Sequence, residues 1–407
     1  MRANFSSDLG QNNYVIRVVS DPSQVDASAW DGLLDAQADP SPFLRHAYLA
    51  ALFNSGSATG ATGWQMQFVL IEQTDDAAGA DGTTLVAACP VYLKSHSYGE
   101  YVFDWAWADA YQRHGLAYYP KLLSAVPFTP VPGPRLLARS LDERVLLLEA
   151  LRALAERGGL SSAHLLFLDD AGVSAAKVAG WMLRTTVQFH WHNRAPTPYA
   201  DFADFLASLQ REKRKKIAQE RRRVAAAGVT FTVSEGAEIS EADWDYFYRC
   251  YTLTYAAHHS TPYLRRTFFS ELAGSLPAMW LLFTAWQGGE RIASSLIAID
   301  RERGHAYGRY WGCTVQLPCL HFEACYYQPL SWCIANRFVR FEGGAQGEHK
   351  MARGLLPVQT TSAHWLAHPQ FASAVADYLE RETQGVSAYL DELADRQPFK
   401  TLPVDGA

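Results

Sequence analysis

His321, Glu323, Glu348, His349, Lys350 and Arg353 fall within residues 321–353, and Arg309 lies on the aromatic stretch just before them. Imidazole and carboxylate groups can take a proton from an attacking nucleophile such as an amine. Lys and Arg bind phosphate or carboxylate. His321 and Glu323 open a helix predicted over 321–338, where backbone N–H groups and the helix dipole favour an anion. Glu348, His349, Lys350 and Arg353 follow a strand predicted at 339–342, and Gly343, Gly344 and Gly347 let the backbone turn tightly beside them. The expected catalytic set is therefore Glu323, His321, Glu348 and His349, with a carboxylate or imidazole as base. Arg309, Lys350 and Arg353 are expected to hold a charged substrate group. The plain alternatives are a helix-capping carboxylate and an ordinary charged loop.

A second constellation, Lys94, His96, Glu100 and Asp104, sits in LKSHSYGEYVFDW. Read as a strand over 98–107, the segment puts Glu100 and Asp104 on one side, because they share parity. These four residues are expected to bind an acceptor substrate; surface polarity on a half-buried strand is the alternative. A third feature is the run REKRKKIAQERRR at 211–223, with eight basic residues against two acidic ones in a chain of net charge −6. The rest of the chain is thus near −12 (−6 less the local +6), and such a run repels itself unless an anion compensates it. Lys213, Lys215 and Arg222 are expected to bind phosphates of a nucleotide, a coenzyme or an RNA backbone. A solvated helix face, with Glu212 pairing Lys216, reads equally well.

The elements that must position these groups follow from periodicity. Alternating runs at 64–72 and 84–93 flank TDDAAGADG and predict a hairpin. A helix is expected over 108–124, then the Pro-rich PFTPVPGPRLL, a helix over 141–157 ended by Gly158-Gly159, and strands at 163–168 and 182–192. Pro196 and Pro198 mark a boundary, giving domains 14–195 and 196–395. The second opens with a helix over 201–227, then strand 229–234 and helices 241–257 and 262–275. Strands 279–287 and 291–300 are joined by Gly288-Gly289, strand 305–311 follows, and a helix at 369–383 closes the chain. Each half reads as helices, a meander, a turn into a helix, then another strand. The expected class is α/β with mixed sheets, and a ligand enters where neighbouring strands diverge.

At 407 residues and 48% hydrophobic content the chain suits two globular domains. No apolar run reaches the roughly 18 residues of a membrane span, and the start has no apolar signal core, so a cytoplasmic location is expected. The six cysteines form no CxxC pair, which gives a metal site no support and predicts free thiols. Cys325 and Cys333 share a helix face and are expected to pack, although Cys325 also lies one turn from His321.

The order of elements resembles that of GNAT acyltransferases, and its doubling resembles the Fem-type peptidyltransferases. LQREKRKKIAQERRRVAAAGVTFTV is similar to the Fem-type pattern of a basic helix ending in Ala-x-x-Gly-Val before a strand. PVYLKSHSYGEYVFDWAWADAY, YYPKLLSAVPFTPVPGPRLL, GRYWG, HFEACYYQ and GAQGEHKMARGLLPV resemble, more narrowly, a Fem-like branch of N-acyltransferases related to peptidoglycan biosynthesis and recognition. The resemblance implies tandem GNAT-like domains and N-acyl transfer without a covalent intermediate. It implies no tightly bound cofactor, acyl-CoA as co-substrate and an amine-bearing small molecule or peptide as acceptor. The Gly- and Arg-rich pyrophosphate loop usual in GNAT enzymes is replaced here by TVQLPCLHFE and PVPGPRLLAR. An aminoacyl-tRNA donor therefore stands as the alternative, as does a non-catalytic protein that binds peptide or cell-wall precursor. The oligomeric state is left open.

Overall fold

The computed structural model describes residues 2–4, 14–74, 83–345 and 347–400. The chain forms two compact units, Met1–Thr186 with Gln359–Ser387, and Val187–Val358 with Ala388–Ala407. The unit boundary thus falls near residue 186, ahead of the Pro196/Pro198 punctuation at which the sequence suggested dividing the chain. Residues 359–387 belong with the first unit.

In the first unit the sheet order is Arg2–Asn4, Tyr14–Val19, Trp64–Thr74, Thr83–Lys94, Lys121–Ser124, Ser162–Leu168 and then Leu356–Leu366, which pairs through residues 361–366. Its hairpin pairs from Trp64↔Lys94 to Thr74↔Thr83, with a one-residue register shift between Ile71 and Glu72. The expected turn at 75–82 lies outside the described residues. Lys121–Ser124 is antiparallel to Thr83–Lys94 but parallel to Ser162–Leu168. The helix Leu141–Arg157 makes that crossover. It opens on a Ser140/Glu143 capping box and buries Leu146, Leu147, Leu148 and Leu151 against Val69, Ile71 and Val91.

In the second unit the order is Met182–His192 (through residues 188–192), Arg340–Ala345, His305–Cys313, Glu290–Asp300, Trp280–Gln287 and Val229–Glu235. Gln287 pairs with Glu290 around Gly288 and Gly289, whose φ values of 59° and 85° are those of a tight hairpin turn. His305–Cys313 and Arg340–Ala345 are parallel and joined by a helical crossover. Each unit is therefore a meander, a crossover helix and a parallel strand. The α/β class with mixed sheets and a doubled order of elements is the observed architecture.

Several elements differ from expectation for identifiable reasons. Residues 98–104 are not a strand, because Gly99 and Tyr101 adopt φ of 82° and 64°, and a helix starts at Trp105. That helix stops at Arg113 and is followed by Gly115 at φ 69°, so the chain reaches Lys121 as a strand rather than a continued helix. The long helix at 201–227 is two, Phe202–Ser208 and Arg211–Ala226, broken where Leu209 and Gln210 are extended. Strand Leu356–Leu366 was not foreseen, and the last helix runs from Pro369 to Asp395. Among the described residues no helix is long and apolar enough to cross a membrane, and no group of His, Cys, Asp and Glu is placed to hold a metal ion.

Gly312 tests the packing of the second unit. A Cβ there would lie 1.9 Å from the Cys250 carbonyl oxygen of helix Glu241–Ala257. Gly312→Ala should cost about 1–3 kcal/mol in overpacking. A calorimetric melt should show a loss of about 2–4 °C per kcal/mol, whereas an unchanged melting temperature would mean that the two elements do not touch so closely.

Candidate functional site

In the second unit, strand His305–Cys313 pairs with Arg340–Ala345 only at residues 305–307 and 340–342, and then continues alone against Glu290–Asp300. The chain turns through Cys319, held at φ 69°, into a helix that begins at Leu320. Pro329 has no N–H to give the Cys325 carbonyl, and the preceding turn, Glu323–Tyr327, is widened into π geometry with Gln328 N donating to Glu323 O. A cleft of about 530 Å³ opens at the turn that leads into this helix. Trp311, Cys313, Gln316, Leu317, Pro318, Leu320 and His321 line it, facing Leu253, Thr254, Ala257 and His258 at the end of helix Glu241–Ala257. This size and a largely apolar wall with a few polar groups suit a small-molecule site.

His321 is the expected residue that reaches the cleft. Its ring packs on Trp311 at 5.1 Å and Tyr326 at 5.7 Å. Burial, helped by the charges of His349, Arg353 and Lys350, pushes its pKa down to about 4, so the imidazole is neutral at neutral pH. Its ring nitrogens make no hydrogen bond to the described residues. His349, itself exposed, lies nearby, its ring tilted to Phe322 at 6.0 Å and edge-on to Tyr326 at 6.2 Å.

The other expected groups are engaged elsewhere. Glu323 is buried, and its oxygens accept from Arg221 Nε at 3.1 and 3.3 Å and from Gln328 Nε2 at 2.8 Å. Glu348 is exposed and bonds Tyr389 and Arg396. Arg353, 2% exposed, donates to both oxygens of Glu220 at 3.1 and 2.9 Å and lies 3.5 Å from the Phe322 ring centroid. Tyr327 also donates to Glu220. Arg309 pairs with buried Glu342 at 3.5 Å. Lys350 Nζ donates to Gly343 O at 2.6 Å and Gly344 O at 3.2 Å, and burial beside Arg309 pushes its pKa down to about 8. Cys325 is half-buried, and desolvation pushes its thiol up to about 12, the opposite of what a thiolate nucleophile needs. It packs with Cys333 in one apolar cluster.

The basic run does not present one face. Ile217, Glu220 and Val224 form the buried side, with Lys213 half-buried beside it, while Lys215, Lys216, Arg222 and Arg223 are exposed. At 100° per residue, Lys215 and Arg222 share a side that Lys213 does not. Glu212 pairs with Lys215 at 3.7 Å, not with Lys216.

In the first unit the structure gathers three of the four expected residues around one that was not foreseen, Lys121. Its Nζ is fully buried and donates to Ser97 Oγ and Glu100 Oε2, each at 2.8 Å, and to Asp104 Oδ2. Tyr118 donates to Asp104 Oδ2 at 2.6 Å and touches His164 Nε2, while His164 Nδ1 meets His364 Nδ1 at 2.8 Å. Burial pushes Glu100 up to about 7 against the pull of Lys121, and pushes Lys94 down to about 7. Burial would also raise Asp104, but Lys121 and His164 hold it well below the usual range. Lys94 Nζ lies 3.6 Å from the Trp64 ring centroid and donates to Tyr98 O at 3.4 Å. His96 stays apart, bonding Thr62 O at 3.1 Å and accepting from Tyr98 N.

A family model described as FemAB-like, peptidoglycan biosynthesis/recognition, matches residues 21–401. No curated protein matches the chain. Among solved structures it is similar to the C-terminal domain of a putative lysylphosphatidylglycerol synthetase from Agrobacterium fabrum, at 12% identity and TM-score 0.47, covering 88% of this chain and 96% of that one. It is also similar to L-PGS from Bacillus licheniformis, at 11% and 0.46, covering 84% and 97%. A tandem GNAT protein from the clavulanic acid biosynthesis pathway follows at 10% and 0.45, covering 88% and 99%.

Two results would check the site's electrostatics. Arg353→Ala leaves Glu220 buried without its guanidinium and should cost about 3–5 kcal/mol in chemical denaturation; a loss well under 1 kcal/mol would mean that the pair is wet. His164 is pushed by burial and Lys121 to about 3, below its ordinary 6.5. The unfolded chain therefore binds that proton first, and the stability it confers above about pH 6.5 is lost as pH falls toward 3. His164→Gln should flatten that part of the stability curve; an unaltered curve would place the acid sensitivity elsewhere.

Proposed function

We propose that this chain, which belongs to the FemAB-like family, is a transferase that moves an acyl group from an activated ester or thioester onto an amine by direct attack. The observation that carries this reading is the cleft at the carboxyl end of strand His305–Cys313, beside the opening of the crossover helix and the end of helix Glu241–Ala257. Carboxyl ends of diverging strands are where α/β sheets bind ligands. The cleft's walls are largely apolar, which suits an acyl chain, and His321 is a neutral hydrogen-bonding group among its polar residues, with Thr254, His258 and Gln316.

An attacking amine must lose a proton, and the neutral His321 imidazole can accept a hydrogen bond from the amine or donate one to the acyl oxygen. Glu323 holds the cleft's helix to Arg221 of the basic helix, a positioning role. Acyl-CoA is the donor this reading favours, with an amine-bearing small molecule or peptide as acceptor, in the cytoplasm. A second reading, an aminoacyl-tRNA donor, is favoured by one observation, the exposed stripe of Lys215, Lys216, Arg222 and Arg223.

Turnover separates these. With a labelled acyl thioester and a mixture of amines, the wild-type protein should form amide, and His321→Ala should lower kcat about 10²-fold or more while remaining folded. Lys215, Lys216 and Arg222 changed together to Gln should leave thioester turnover intact. If instead only aminoacyl-tRNA is consumed, with a salt slope that the triple variant reduces, the second reading holds. If His321→Ala matches wild type on the productive donor, the cleft is not where transfer occurs.

A further inference from the structure

The Lys121 cluster of the first unit is more polar than its own hydrogen bonds can satisfy. An ammonium has three N–H groups, and those of Lys121 already go to Ser97, Glu100 and Asp104. Tyr118 gives its one hydroxyl proton to the same Asp104 oxygen. Glu100 Oε1 and Asp104 Oδ1 are left buried and, among the described residues, without a hydrogen-bond partner, on residues only 3% and 4% exposed. A buried carboxylate oxygen with no donor is costly, and with only the Ser97 hydroxyl to spare beside Asp104 the cluster is short of donors. The remaining cation, Lys94, is turned to the face of Trp64 and to Tyr98 O.

The segment carrying both carboxylates is unusual outside as well as inside. Tyr98, Phe103 and Trp105 are 58%, 51% and 41% exposed, and the Tyr98 and Trp105 rings meet edge to face at 5.1 Å. Aromatic faces at the surface beside inward-directed carboxylates are the composition of a site for an organic cation. Gly99 and Tyr101, at φ of 82° and 64°, hold the segment in left-handed conformations, which for Tyr101 is strained and typical of a functional loop.

We infer that Glu100 Oε1 and Asp104 Oδ1, beneath the Tyr98–Trp105 aromatics, form a recognition site for a primary ammonium group. The site takes a ligand that can donate two N–H bonds, one to each oxygen, with its carbon chain against the aromatics. Access requires the 98–103 segment to part. Because burial pushes Lys94 down to about 7, it does not oppose a second cation with a full charge at neutral pH. The inference rests on the transferase reading only in identifying the amine as the acceptor. Recognition itself needs no acyl donor and is tested without one.

The test is calorimetric titration of the full-length protein with n-propylamine, which is an ammonium at neutral pH, and with tetramethylammonium, which has the charge but no N–H. Propylammonium should bind at one site, and tetramethylammonium should bind about tenfold or more weakly, the scale of one lost charge-assisted hydrogen bond. Glu100→Gln should weaken propylammonium to a similar degree. Because that variant alters a buried pair, Trp105→Ala on the surface is the companion: it should keep the fold and weaken binding several-fold. Trp105 fluorescence, followed as the difference between wild type and Trp105→Ala, should change on titration. Equal binding of both cations, unaltered affinity in Trp105→Ala, or no saturable heat at millimolar amine would overturn the site. Binding that persists while amide formation fails would keep the site and discard the transferase reading.

Discussion

A charge removed from water must find its counter-charge within the chain, and this constraint shapes both units. In the second, Glu220 sits on the buried side of the basic helix between Ile217 and Val224, and Arg353 and Tyr327 converge on it. Arg221, one residue on, reaches Glu323 in the π turn. Two adjacent residues of one helix thereby fix both the widened helix that carries His321 and the turn that carries His349 and Lys350. The wall of the cleft depends on pairs that never face it. In the first unit the same constraint draws Ser97, Glu100 and Asp104 onto Lys121 and bends their loop inward.

Much of the fold was legible because it is local. Period-2 hairpins, the Ser140/Glu143 cap and the Gly288-Gly289 turn each have a signal within a few residues. Strand Leu356–Leu366 had none. It begins at a proline-containing stretch, and its partner Ser162–Leu168 lies some two hundred residues away, a pairing that periodicity cannot carry. The split of the long helix at Leu209–Gln210 was hidden for a similar reason, because Leu209 turns extended to meet Phe399.

The sites were legible in residue type more than in role. Glu100 and Asp104 do share a target, though through a bent loop and not through strand parity. Arg353 and Glu323 were read as groups for a ligand because a dense run of charge looks the same whether its partner is a substrate or the chain. A clue lay in the basic helix. Glu220 falls three residues after Ile217 and four before Val224, on the apolar side, where a carboxylate must be paired. Lys121 opens a strand, KLLS, that is wholly buried, which likewise demands an acid nearby. His321 alone kept its expected place at the opening of the crossover helix and also lines the cleft.

On the proposed function, the cleft of the second unit holds the activated acyl group. A crystal structure with a non-hydrolysable thioester analogue tests it most directly. The acyl carbonyl should lie within hydrogen-bond reach of His321, with the chain against Trp311 and Leu253. An analogue bound at saturation away from these residues, with the cleft empty, would contradict it.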